Sequence, residues 1–210
     1  MAVLSRILQI ARDWRYIDSI PRVKAFKENR GRTRFLPGDE AARLVAAIRD
    51  DLRPLIQFLI STGCRRGEAL ALDWDRVDLI NRRVTFTHTK SGHSRTIPLS
   101  KTLTEALSAL PSHEGRAFLI TGSQIRKPLA AALVKAGIKG CVLHTLRRSA
   151  PSLMAQSNVP MQKIAEVLGH RSLITTRRYA HLQTDDLIDA VTAVEMALTS
   201  DPTGRSSSSR

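Results

Sequence analysis

At 210 residues the chain is long enough for one ordinary domain and part of a second. Its 33 lysines and arginines against 19 acids leave a net charge of +14, which points to a polyanionic partner, nucleic acid before membrane. Two cysteines, Cys64 and Cys141, make no disulfide framework, no apolar run approaches the roughly 18 residues of a membrane span, and no signal-peptide pattern opens the chain. The expectation is a soluble cytoplasmic protein, with aliphatic helix packing dominating a core in which aromatics make up only 4% of the residues.

Leu4, Ile7, Leu8, Ala11 and Trp14 recur at helical spacing and predict an amphipathic helix over 3–17. Pro21 ends it. Arg22, Lys24, Lys27, Arg30, Arg32 and Arg34, with Glu28 as the one acid, make 20–34 a basic linker. Pro37 with Asp39 and Glu40 suits the positive end of a helix that buries Ala42, Leu44, Val45 and Ile48. A second apolar helix covers Pro54 to Ile60, Ser61-Thr62-Gly63 turns, and Arg65 to Leu72 restarts the helix. Alternation in 82–88 and 95–99 around Lys90-Ser91-Gly92-His93 predicts an antiparallel hairpin.

Helices follow at 101–109, 128–136 (opened by Pro128, closed by Gly137), 145–157, 161–168, 173–181 and 184–198. Residues 200–210 form a polar tail too poor in apolar side chains to order itself. The fold class is therefore mainly α with a small antiparallel β-hairpin or sheet, α+β. Between Gly115 and Ala165 there is no acid, while Arg116, Arg126, Lys127, Lys135, Lys139, Arg147, Arg148 and Lys163 fall there. A solvated helix face mixes signs, so this reads as a binding surface.

The last third holds His144-Thr145-Leu146-Arg147-Arg148, then Leu168-Gly169-His170, then Arg177-Arg178-Tyr179. A phenol with a pKa of about 10 is a poor nucleophile near neutrality. Among guanidinium groups and a histidine it becomes a plausible one towards a phosphodiester. A zinc site on the histidines has no HExxH or paired-cysteine spacing to support it.

Four separated motifs together resemble the tyrosine recombinases, the phage-integrase and Xer-type family. Thr62-Gly63-Cys64-Arg65-Arg66-Gly67-Glu68 looks like the family's first-arginine box, and Thr89-Lys90 with Arg95-Thr96-Ile97-Pro98-Leu99 like its hairpin lysine. His144-Thr145-Leu146-Arg147 is similar to the His-x-x-Arg box, and Leu168-Gly169-His170 with Tyr179 to the second histidine and nucleophile. The resemblance implies a catalytic domain over 35–182, preceded by the last helix (1–19) of an N-terminal core-binding domain and a linker (20–34). It also implies a C-terminal helix (183–199) that docks on a neighbouring protomer.

It further implies site-specific recombination of double-stranded DNA through a 3′-phosphotyrosyl intermediate, in a tetramer on DNA, without cofactor or metal, at the nucleoid. The implied catalytic set is Arg65, Lys90, His144, Arg147, His170 and Tyr179. The implied DNA contacts are Arg34, Arg66, Arg95, Arg148 and Arg171. Glu68, three residues after Arg65, reads as a structural partner of that arginine rather than a catalyst, and Trp74 as core. One departure is Pro151, which inside a helix removes the hydrogen bond to the Arg147 carbonyl at about 3 kcal/mol and threatens to displace that arginine. The competing readings are a catalytically impaired, truncated recombinase acting only as a DNA-binding module, and a type IB topoisomerase.

Overall fold

The computed structural model describes residues 2–22, 34–87, 94–170 and 172–183. The chain divides into two compact units, residues 1–33 and 34–210. In the first, helix α1 (Ala2–Asp13) is shorter than its apolar spacing predicts. It stops because Arg15 turns into the left-handed region at φ 59°. Val3, Ile7 and Trp14 of this unit are exposed.

The second unit is built on α3 (Arg53–Thr62), which packs against α2 (Gly38–Ala47), α5 (Lys101–Ser108) and α7 (Leu143–Gln156). Pro54 lies in the first turn of α3, where its missing N–H costs nothing. Leu55, Ile56, Phe58 and Leu59 face inward and are almost wholly buried. Phe58 meets the rings of Phe118 and Phe86 at 5.3 and 6.1 Å, anchoring a largely aliphatic core.

Short α4 (Arg66–Leu70) follows, then a 3₁₀ turn at Trp74–Arg76 with Trp74 buried. The sheet has three strands where the alternation predicts two. Val77–Asp78 (β1) adds to the outer edge of Arg83–Phe86 (β2), which pairs antiparallel with Arg95–Pro98 (β3). Two residues are too few to show a period, which is why β1 escapes the pattern.

Helix α6 (Gly122–Lys135) starts before Pro128 rather than at it. The Gln124 side-chain carbonyl accepts from the Thr121 N–H at 2.8 Å and opens the helix there, leaving the proline inside. Helix α8 (Met161–Leu168) ends at Gly169 in the left-handed conformation. The predicted helix over 173–181 is instead α9 (Leu173–Thr176) followed by a 3₁₀ turn, Arg177–Leu182.

Ala155, Ile164, Leu168 and Tyr179 form a small satellite core apart from the main one. The proposed hairpin turn with Lys90, residue Arg171, most of the linker and the 184–198 segment lie outside the described residues. Among those described, no helix is long and apolar enough to cross a membrane.

Candidate active site

Three elements of the second unit bring their ends together. Gly63 closes α3 in the left-handed conformation at φ 59°, turning the chain so that Arg65 caps α4. A side chain at Gly63 has no room. Its Cβ would stand 2.8 Å from Leu168 and 2.9 Å from Ala150, so this turn is pressed between α8 and α7.

Arg147, on the second turn of α7, reaches back to the same loop, its Nη1 donating to the Gly63 carbonyl at 2.7 Å. Pro151 sits inside α7, yet Arg147 is not displaced as the sequence suggested. The freed Arg147 carbonyl faces Gly63, where a Cβ would meet it at 3.4 Å. Pro151 itself is buried in the packed face of the helix. Helix α7 continues through the proline.

Glu68 is the hub of this frame and is 4% exposed. Its Oε1 accepts from Arg65 Nη1 at 2.7 Å, and its Oε2 accepts from the Arg65 backbone N–H at 2.8 Å. Arg95 donates to the same two oxygens at 3.3 and 2.8 Å, and Arg147 Nη1 stands 4.0 Å away. Burial pushes the Glu68 carboxyl up. Hydrogen bonds from Arg95, the Arg65 backbone and Arg65 outweigh that and hold it below the ordinary carboxylate value. Burial first, and the Arg65 charge second, pull Arg147 down from its ordinary value, as befits a cation 13% exposed beside another.

His144 lies one turn before Arg147 and is exposed. Partial burial, then the charges of Arg148, Arg147 and Arg178, lower its pKa, so the ring is neutral at pH 7 and able to accept a proton. His170 follows the left-handed Gly169 and is half-buried, its Nδ1 2.9 Å from the hydroxyl of fully buried Thr176. Burial, then Arg147 and Arg65, lower it to about 4.

Tyr179 is close to these charges but not free. It is 7% exposed, packed with Ala155, Ile164 and Leu168. Burial raises its pKa, and the opposing charges of Arg178, Arg147 and Arg148 do not compensate. A cavity of about 660 Å³ opens beside Arg65, His144 and Arg147, with Leu59, Leu129 and Leu133 on its apolar side.

Of the predicted residues, Arg65, His144, Arg147, His170 and Tyr179 are thus gathered in one region, and Lys90 lies outside the described residues. Among the predicted DNA contacts, Arg66 is exposed and lines the cavity, and Arg148 is half-buried on α7. Arg34 is tied to Glu40 and to the carbonyls of Phe35 and Lys139. Arg95, expected at the DNA, instead turns its guanidinium inward and is 9% exposed. Arg178, named beside Tyr179 in the sequence, adds its charge here, and Thr176 was not singled out. Thr176 meets His170 only through the turn between them. Among the described residues, no group of three or more His, Cys, Asp or Glu side chains is placed to hold a metal ion.

The phage integrase family model matches residues 34–186. The chain is similar to the integrase of Salmonella phage P22, 28% identical over 90% of this chain and 54% of the relative. It is also similar to the shufflon-specific DNA recombinase of Escherichia coli, 31% identical over 92% of this chain and 52% of the relative. The chain therefore spans about half the length of the curated relatives it matches. Among solved structures, the catalytic domain of bacteriophage HP1 integrase superposes with a TM-score of 0.66 at 30% identity, over 78% of this chain and 96% of that domain.

Proposed function

The chain belongs to the phage integrase family, and from that premise we propose that it cuts and rejoins double-stranded DNA as a site-specific tyrosine recombinase. The observation that carries the reading is the convergence of Arg65, His144 and Arg147 on one cavity, with His170 and Tyr179 near enough to feel the Arg147 charge. Two guanidinium groups suit the non-bridging oxygens of a phosphodiester as charge builds on them.

The Tyr179 oxygen attacks phosphorus, the bond to the 5′-oxygen breaks, and a 3′-phosphotyrosyl link and a 5′-hydroxyl result. His144 takes the phenol proton. His170, accepting the Thr176 hydroxyl at Nδ1, presents its Nε2–H to the phosphate. Lys90 supplies the proton that the leaving 5′-oxygen needs, since an alkoxide leaves poorly. The link retains the phosphodiester energy, so no cofactor is called for. For attack, Tyr179 has to leave the satellite core, at a cost of about 2 kcal/mol for exposing a side chain of this size.

DNA binding rests mainly on phosphate contacts and is steeply salt-dependent. In this reading the protein acts in the cytoplasm at the nucleoid, and assembles into a tetramer on DNA through residues 183–199. Truncation after Gln183, with light scattering on a two-site DNA, tests the assembly: an equally well assembled truncation counts against it.

The test of activity is covalent trapping. The full chain is incubated with a pool of nicked suicide duplexes of randomised sequence, and the products are separated under denaturing conditions. A protein–DNA adduct that Tyr179→Phe abolishes is expected. Binding without any adduct would overturn the enzymatic reading in favour of a DNA-binding module. Relaxation of supercoils without strand exchange would instead indicate a topoisomerase.

A further inference from the structure

Arg95 opens β3 directly opposite Phe86 of β2, and its guanidinium lies 4.5 Å from the centre of that ring. Its Nη1 and Nη2 fork onto both oxygens of Glu68, and its Nε donates to the Val167 carbonyl at 3.1 Å. Val167 is in the last turn of α8, where carbonyls lack helical partners and a cation is favoured. A Cβ at Gly169 would fall 3.0 Å from Arg95, so the arginine also fills the space beside the residue that leads into His170. Each of its three nitrogens donates within the protein, and the side chain is 9% exposed.

The charges explain why a third arginine is buried here. Glu68 carries one negative charge and lies against two catalytic guanidinium groups, hydrogen-bonded to Arg65 and 4.0 Å from Arg147. Alone with them, it would cancel half of the positive charge offered to a phosphate. Arg95 supplies the counter-charge, its guanidinium donating to both Glu68 oxygens.

We propose that Arg95 is a positioning residue whose charge neutralises Glu68, so that Arg65 and Arg147 keep theirs for the phosphate. The inference rests on the recombinase reading of that arginine pair. Its test uses inorganic phosphate as the probe, so it does not depend on knowing a DNA site.

The full chain is titrated with inorganic phosphate while the nitrogen-15 signals of Arg65 and Arg147 are followed. Arg95→Met, which loses the charge, is expected to bind phosphate about tenfold more weakly, because an uncompensated carboxylate then sits within a few ångströms of the site. Adding Glu68→Gln to Arg95→Met removes that carboxylate and is expected to restore affinity to within about threefold of the wild type. An unchanged affinity in the single variant overturns the proposal. A double variant as weak as the single one overturns it as well, since a strut regains nothing when its partner is also lost.

If Arg95→Met does not fold, Arg95→Lys decides. It keeps the charge without the fork, and affinity within about twofold of the wild type supports the proposal, whereas a tenfold loss overturns it. Covalent trapping on nicked duplex runs in parallel. A wild type that binds phosphate but forms no adduct sinks the recombinase reading, and the phosphate titration then decides the role of Arg95 by itself. A wild type that binds no phosphate sinks both.

Discussion

The arginine frame and the tyrosine segment are neighbours held in opposite ways. Arg65, Arg95 and Arg147 are tied through Glu68, Gly63 and the end of α8 by short, charge-assisted hydrogen bonds within the main packing of α3 and α7. Residues 172–183 are one short helix and a 3₁₀ turn, seated by the satellite core, by Thr176 against His170, and by the Gln183 side-chain amide donating to the Val159 carbonyl at 2.8 Å. In the recombinase reading proposed above, the contrast separates two chemical tasks. Stabilising charge on a phosphate demands donors that need no reorganisation, whereas a nucleophile has to move in and out.

The sharpest break in that contrast is Tyr179→Phe. Covalent adducts should vanish entirely, while DNA affinity by filter binding stays within about twofold, because only the attacking oxygen is removed. The frame answers differently. Arg147→Ala should lower the rate of adduct formation by about 10²–10³, the scale of losing one preorganised donor, and should weaken DNA binding as well. Quantifying adduct and free DNA in the same gel series checks both. Equal effects of the two substitutions on binding would erase the distinction.

Gly63→Ala probes how tightly the frame is built. The alanine takes an unfavourable left-handed conformation and its Cβ meets Leu168 and Ala150 below 3 Å, so stability should fall by about 2–3 kcal/mol, read from urea unfolding midpoints.

The last effect concerns pH. His170 titrates at about 4 when folded and near 6.5 when unfolded, so the unfolded chain binds more protons between these values. Its contribution to stability is therefore present above about 6.5 and is lost as pH falls towards 4. His170→Gln should flatten the pH dependence of the unfolding midpoint in that window. His144, lowered as well, contributes in the same direction and remains in the variant.

What the sequence determined by itself was whatever depends on local spacing and composition: the helical class, the paired strands of the hairpin, and the motifs that single out Arg65, His144, Arg147, His170 and Tyr179 as candidates. His144 and Arg147, three apart, share a helix face by helical geometry alone. Where the sequence misled, the outcome depended on contacts between distant residues. Pro151 looked disruptive because the cost of a missing hydrogen bond is local, but the hold of the Gly63 carbonyl on the Arg147 side chain, 84 residues apart, is not.

Arg95 looked like one more DNA contact, since nothing within β3 reveals that Glu68, 27 residues earlier, and the end of α8, 72 residues later, meet its guanidinium. Burial of Tyr179 was equally illegible, because α7, α8 and the 3₁₀ turn have to close on one another before its ring has anything to pack against. Spacing along a chain says which groups a helix or strand can present together. Only the closing of separate elements decides which charges are paired and which side chain is buried.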